Sequence, residues 1–164
     1  MSAFTPKYKF RDGFRVTAVD AQTVGEVCEN LSNTVGLTSK TLLDASRAES
    51  APLHNCFEWR DNVAAEKYRE VQAQYIIRSV VVISEDKPEV RAFSSVVVQE
   101  KKEFKHIDTI VRNEDLKYQL LKSAKKELYA FQVKYNALKG YAELSDVFTS
   151  INNLKEKEKQ DGTI

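Results

Sequence analysis

Glycine is scarce in this chain, with five among 164 residues. No GxGxxG or GxxxxGK[ST] arrangement occurs, so glycine-rich loops that cradle phosphates are excluded. Cysteine is scarcer, with only Cys28 and Cys56. Two thiols so far apart form no disulfide framework and no CxxC pair, and a reducing, cytoplasmic compartment is the simpler expectation. There is no HExxH metal motif. No apolar run approaches the roughly 18 residues of a membrane helix. Residues 1 to 15 are polar, basic and aromatic, unlike a signal peptide. Neither sign of charge dominates: 25 Lys and Arg stand against 24 Asp and Glu, a formal net charge of +1. That excludes a strongly basic nucleic-acid coat, so any contact with DNA must come from a local patch.

What is present suits a folded domain. Hydrophobic residues make up 42% and aromatics 10%, enough for a core. Residues 4 to 17 alternate aromatic and basic side chains around the Asp12-Gly13 turn signal, which predicts a short strand or an ordered arm. Asp20 is placed to cap a helix to about Val35, with Val24, Val27, Cys28, Leu31 and Val35 on one face and Gly36 as terminator. Thr38 caps a second helix to about Ala48. Ser50 and Pro52 open a short third one. The outline is that of a helix-turn-helix.

Asp61 then caps a long helix to Ser79, whose buried stripe is predicted as Ala64, Tyr68, Val71, Tyr75 and Ile76. Residues 80 to 83 read as a buried strand, 85 to 89 as an acidic turn and 90 to 98 as a second strand, together a β-hairpin. Residues 101 to 106 form a basic exit. Asn113 caps a helix whose stripe (Leu116, Leu120, Ala124, Leu128, Phe131, Tyr135) reaches Leu138. Gly140 breaks it, and a second amphipathic helix follows. The expected fold class is α+β: residues 1–110 a helix-turn-helix-like domain with a β-hairpin, 111–155 a C-terminal helical hairpin, and 156–164 a frayed tail.

The segment from Ser50 to Asp61 holds the only Trp, one of two His and one of two Cys. His54, Cys56 and His106 lack the spacing of a zinc site, and a Cys-His nucleophile lacks its local context. No catalytic, metal-ligating or cofactor-binding residues are expected. The helix-turn-helix outline carries more content. In it, the basic arm (Lys7, Lys9, Arg11, Arg15) and Lys40, Arg47 and Arg60 hold the DNA backbone, while His54 and Asn55 project toward bases. The acidic 85–89 turn argues against an ordinary wing, because it would repel phosphate. In the rival reading Phe57 and Trp59 are aromatic anchors for a protein partner. A third, purely structural reading has Leu53, Phe57 and Trp59 tie a connector into the core.

Leu37-Thr38, the run from Leu43 to Ala48, Ser50, Pro52-Leu53-His54, Phe57-Glu58-Trp59, Asp61, Ala64-Ala65, Tyr68-Arg69, Ala73 and Ile77-Arg78-Ser79 together resemble a family of small bacteriophage- and prophage-encoded proteins without assigned function. The resemblance covers roughly residues 18 to 80 and a similar helical ending. It implies a protein of the host bacterial cytoplasm and carries no catalytic residues with it. The function expected is therefore a non-enzymatic, phage-encoded DNA-binding protein, regulatory or nucleoid-associated, that forms a homo-oligomer through its C-terminal helices and has no membrane contact. The alternative is a module that binds and modulates a host or phage protein.

Overall fold

The computed structural model describes residues 7–14, 16–60, 64–84 and 87–162. Arg15 and Asp61 lie outside these residues, as does the tip of the acidic turn. The chain divides into two compact units, Met1–Lys117 and Tyr118–Ile164. The fold is α+β.

The first unit runs β1 (Lys7–Phe10), α1 (Ala21–Asn33), α2 (Ser39–Ala45), a 3-10 turn (His54–Cys56), α3 (Ala64–Ser79), β2 (Val80–Ser84), β3 (Lys87–Arg91), β4 (Phe93–Val98), β5 (Lys101–His106) and α4 (Ile107–Arg112). Local chemistry sets the helix ends. The Asp20 carboxylate accepts from the Thr23 amide at 2.9 Å, and that bond holds the acid below its ordinary range. Thr38 and Thr41 form a reciprocal capping box at the start of α2, which satisfies two amides the helix cannot. Gly36, at φ +88°, turns the chain out of α1 and donates its amide to the Leu31 carbonyl.

β2 is the central strand of a three-stranded antiparallel sheet, ordered β1-β2-β3. β4 and β5 form a separate antiparallel pair. The predicted single strand over 90 to 98 is thus two strands in two sheets. The chain changes partner at Ala92, whose amide bonds to the Val80 carbonyl and whose carbonyl accepts from Ile107. The predicted basic exit is itself β5. A two-residue loop joins it to β4, with Gln99 and Glu100 at φ +48° and +64°. Hairpin loops with both central residues at positive φ usually carry Asn or Gly, so these residues give no turn signal.

The core gathers Val24, Cys28, Leu37, Leu42, Leu43, Leu53, Ile77, Val80 and Phe93, each essentially inaccessible. Burial of such side chains stabilises by about 1.5–3 kcal/mol each. Tyr8 enters this core from β1, stacked on Phe93 with centroids 6.3 Å apart. Its hydroxyl donates to Glu29 at 3.0 Å, and burial pushes the phenol above its usual range. The buried His106 ring stands nearly perpendicular to both aromatics. Its Nδ1 accepts from the Asp108 amide and so caps α4.

The second unit holds most of α5 (Glu114–Lys134), a 3-10 turn (Asn136–Leu138) and α6 (Ala142–Gln160). Asn113 caps α5 through the Leu116 amide. The helix stops at Lys134, four residues before the predicted end. α6 continues to Gln160, so the expected fraying from 156 is replaced by helix. Glu158 explains this, bonding Lys125 at 2.8 Å and the Tyr129 hydroxyl at 2.5 Å. Among the described residues, no helix is long and apolar enough to cross a membrane.

Gly25 lies beneath Tyr8, and a Cβ there would overlap the Tyr8 ring. Gly25→Ala is therefore expected to destabilise the protein by about 1–3 kcal/mol, the usual cost of overpacking. A urea unfolding curve measures this, and an unchanged midpoint would refute the close packing.

Candidate functional site

The segment 53 to 60 is built around Trp59. Leu53 and Phe57 are buried in the core. The Trp59 indole donates to the His54 carbonyl at 2.8 Å. Its ring stacks on His54, with centroids 4.9 Å apart and planes 9° apart. The Arg69 guanidinium lies over the same indole at 5.1 Å, a favourable placement for a cation on an aromatic face. Arg69 is only 5% exposed. Its Nε donates to the Glu58 carbonyl at 2.6 Å, and its other nitrogens reach the Arg60 carbonyl and the Glu66 carboxylate. A buried arginine tolerates its site only when its donors are met. Here they fasten the connector to α3.

This clamp rotates α3 away from the predicted stripe. Its buried residues are Arg69, Ala73, Ile76, Ile77 and Ser79. Tyr68 is 58% exposed, Val71 60% and Tyr75 39%. The sequence reading placed all three in the core because aliphatic and aromatic residues at helical spacing usually belong there. It missed Arg69, which falls on one face with Ala73, Ile76 and Ile77 at spacings of four, three and one.

The exposed residues line an open cleft of about 360 Å³ with Val16, Thr17, Ala18, Asn55, Cys56, Gln72 and Ile76. None of these side chains carries a charge at neutral pH. Phe14 packs on Tyr75 with centroids 4.8 Å apart and extends the aromatic surface. The Cys56 thiol is half-buried, and burial raises its pKa. It is therefore protonated at neutral pH. His54 and Cys56 make no hydrogen bond to each other, because the His54 Nδ1 faces the Ser46 carbonyl at 3.1 Å and its ring lies on Trp59. Among the described residues, no three His, Cys, Asp or Glu converge as a metal site.

Among the described residues, most of those expected to touch DNA are engaged within the protein. The expected recognition helix is a single 3-10 turn. His54 turns inward onto Trp59 and Ser46 rather than toward a groove, and Asn55 faces the apolar cleft. Lys9 pairs with Glu89. Arg47 pairs with Asp44 and Glu66, and Arg60 with Glu58. Lys7 belongs to β1, opposite Ile83. Arg11 lies over the Phe14 ring at 5.1 Å. Lys40 is exposed on α2. Of the two expected partner anchors, Phe57 is buried, and Trp59 is held by His54 and Arg69, so both serve the fold.

No family model, curated protein or solved structure matches the chain.

Arg69→Met is expected to free the 58–60 segment and to cost about 1.5–3 kcal/mol, the range for a hydrogen bond to a charged group. Trp59 is the sole tryptophan, so its emission should shift to the red in the native state; an unshifted spectrum with unchanged stability would refute the clamp. A pH effect follows from the same site. Hydrogen bonds from the Arg60 amide and side chain hold Glu58 below its ordinary range, and bonds to Arg47 and then Arg69 do the same for Glu66. Their contribution is present above the unfolded carboxylate pKa and is lost as pH falls through the lowered folded values. Stability should therefore fall below about pH 4, and Glu66→Gln should reduce that slope in acid denaturation followed by Trp59 emission.

Proposed function

We propose that this chain is a non-enzymatic binding module, phage-encoded as its resemblance implies, that receives an apolar anchor residue of a protein partner in the cleft on α3. The observation that carries this reading is the exposure of Tyr68 and Val71 around a concave, uncharged surface. Large apolar side chains displayed at a recess are the usual form of a protein-binding hot spot. Thr17, Asn55 and Gln72 at the cleft supply hydrogen-bonding groups for the backbone of a bound segment, while the lack of charge suits an aliphatic or aromatic side chain.

The test uses the full chain with Tyr68→Glu and Val71→Glu, both at exposed positions. N-acetyl-tryptophanamide serves as the probe in an NMR titration. It is expected to shift the resonances of Val71, Gln72 and Cys56 in the wild type, and the Gln72 and Cys56 shifts should be lost in both folded variants. A probe that leaves the cleft residues unmoved, or that shifts both variants equally, overturns the reading.

Duplex DNA is the second reading. Its support is Arg11 and Lys40, which have no carboxylate partner among the described residues. Anisotropy of a random duplex titrated through salt separates the two: DNA binding weakens steeply with salt and survives Val71→Glu, whereas cleft binding does the reverse.

We infer that the C-terminal helices pair with a second copy of the chain. α5 has no buried residue, and Tyr118, Leu121 and Leu128 stay exposed along it. Phe131 of α5 meets the buried Phe148 of α6, and polar ties join Lys125 and Tyr129 to Glu158 and Gln132 to Asn152. Two helices cannot cover both faces of a bundle, and a four-helix arrangement does so. Glu114 and Asp115 open α5 and Lys134 closes it, so an antiparallel copy opposes unlike charges. Sedimentation velocity should show a dimer that dissociates in Leu121→Glu/Leu128→Glu; a monomeric wild type refutes this pairing.

A further inference from the structure

A second recess, about 200 Å³, opens where α3 meets the β4–β5 hairpin. Its lining differs in kind from that of the apolar cleft. Gln74 and Arg78 stand four residues apart on one face of α3. Ser95 pairs with Phe104 across the β4–β5 ladder, and Val97 with Lys102. Strand alternation therefore puts Ser95, Phe104 and Lys102 on the same side of the hairpin. Ser39, in the first turn of α2, and Thr38, whose hydroxyl is taken up by Thr41, complete the lining.

The polar groups of these side chains are uncommitted. Among the described residues, Ser39, Gln74, Ser95 and Lys102 make no side-chain hydrogen bond or ion pair, and Arg78 has only the Phe104 ring at 6.0 Å. That ring supports the guanidinium and leaves its donors open. The nearest carboxylate in sequence, Glu103, points to the other face of β5, where it pairs with Lys105 at 3.5 Å. Two cations, two hydroxyls and an amide from four different elements thus surround one small space without an internal anion.

We propose that this recess is a binding site for a phosphate group. Donors arriving from α2, α3, β4 and β5 suit a tetrahedral anion with acceptor oxygens on several sides. A planar carboxylate offers two oxygens in one plane and leaves part of this set unmet. Arg supplies a fork of N–H donors and Lys a compact charge, the pair that phosphate sites commonly use. The volume accommodates one phosphate group with water, which directs the site to a free phosphate, a phosphate monoester or a single internucleotide phosphate. The proposal does not depend on the apolar cleft, whose probe is uncharged.

The experiment is an NMR titration of the full chain at constant ionic strength, with inorganic phosphate in one arm and a short oligothymidylate lacking terminal phosphates in the other. Sodium chloride alone is the control. Phosphate is expected to shift Ser39, Gln74, Ser95 and Lys102 in a saturable way that chloride does not reproduce. Lys102→Gln and Arg78→Gln, both at exposed positions, should each weaken the response about tenfold or more, the loss of one charge-assisted hydrogen bond, while Lys126→Gln on α5 leaves it unchanged. A response to inorganic phosphate alone assigns a small dianion or monoester. A response to the oligonucleotide assigns the internucleotide phosphate, and either supports the site. The proposal is overturned if neither probe shifts these residues, or if the shifts persist unaltered in both folded variants.

Discussion

The buried guanidinium of Arg69 is the constraint on which the arrangement around α3 depends. A charge that is 5% exposed must find oxygen acceptors or become costly. It finds them in the Glu58 and Arg60 carbonyls and the Glu66 carboxylate, and its plane covers Trp59. At ~100° per residue, an inward Arg69 brings Ala73, Ile76 and Ile77 inward with it. The same rotation turns Tyr68, Val71 and Tyr75 outward. The cleft is therefore a consequence of the clamp.

The sheet side of the unit is organised by a different device. The chain changes sheets at Ala92, where backbone bonds to Val80 and Ile107 hold three elements at one residue. Phe93, the next residue, meets Tyr8 and His106 in the aromatic cluster. The amide of Phe104 reaches the Leu37 carbonyl and ties the β4–β5 hairpin to the start of α2. That tie brings Ser95 and Lys102 up to Arg78. Two recesses of unlike chemistry thus share one helix: an apolar one along residues 68 to 76, and a cationic one around Gln74 and Arg78.

Much of this was legible in the sequence where the signal is local. Asp20, Thr38, Gly36 and Asn113 act on amides and carbonyls a few residues away, and each marks a helix end. The α+β class followed from the switch between helical and strand patterning. What was not legible depends on distant partners. Nothing in residues 90 to 98 announces that two sheets divide them, because the division is set by Val80 and Ile107. The strand 101–106 is rich in lysine and has its identity from pairing with Phe93–Val98. Its loop offers Gln99 and Glu100 where Asn-Gly would have marked a turn. The stripe of α3 was misjudged because an arginine, the residue least expected inside, determines which face is inside.

The residues of the motif between Pro52 and Ser79 divide along the same line. Leu53, Phe57, Trp59, Arg69, Ala73, Ile77 and Ser79 are accounted for by packing and by the clamp. A fold needs them whatever it binds, so they identify a way of joining the connector to α3 and specify no chemistry. Tyr68 and Arg78 stand apart. Both are exposed, and neither closes a gap in the core. Tyr68 faces the apolar cleft and Arg78 the cationic recess. The two proposed sites therefore draw on these two positions, and the Trp59 segment that dominates the sequence is the support that presents them.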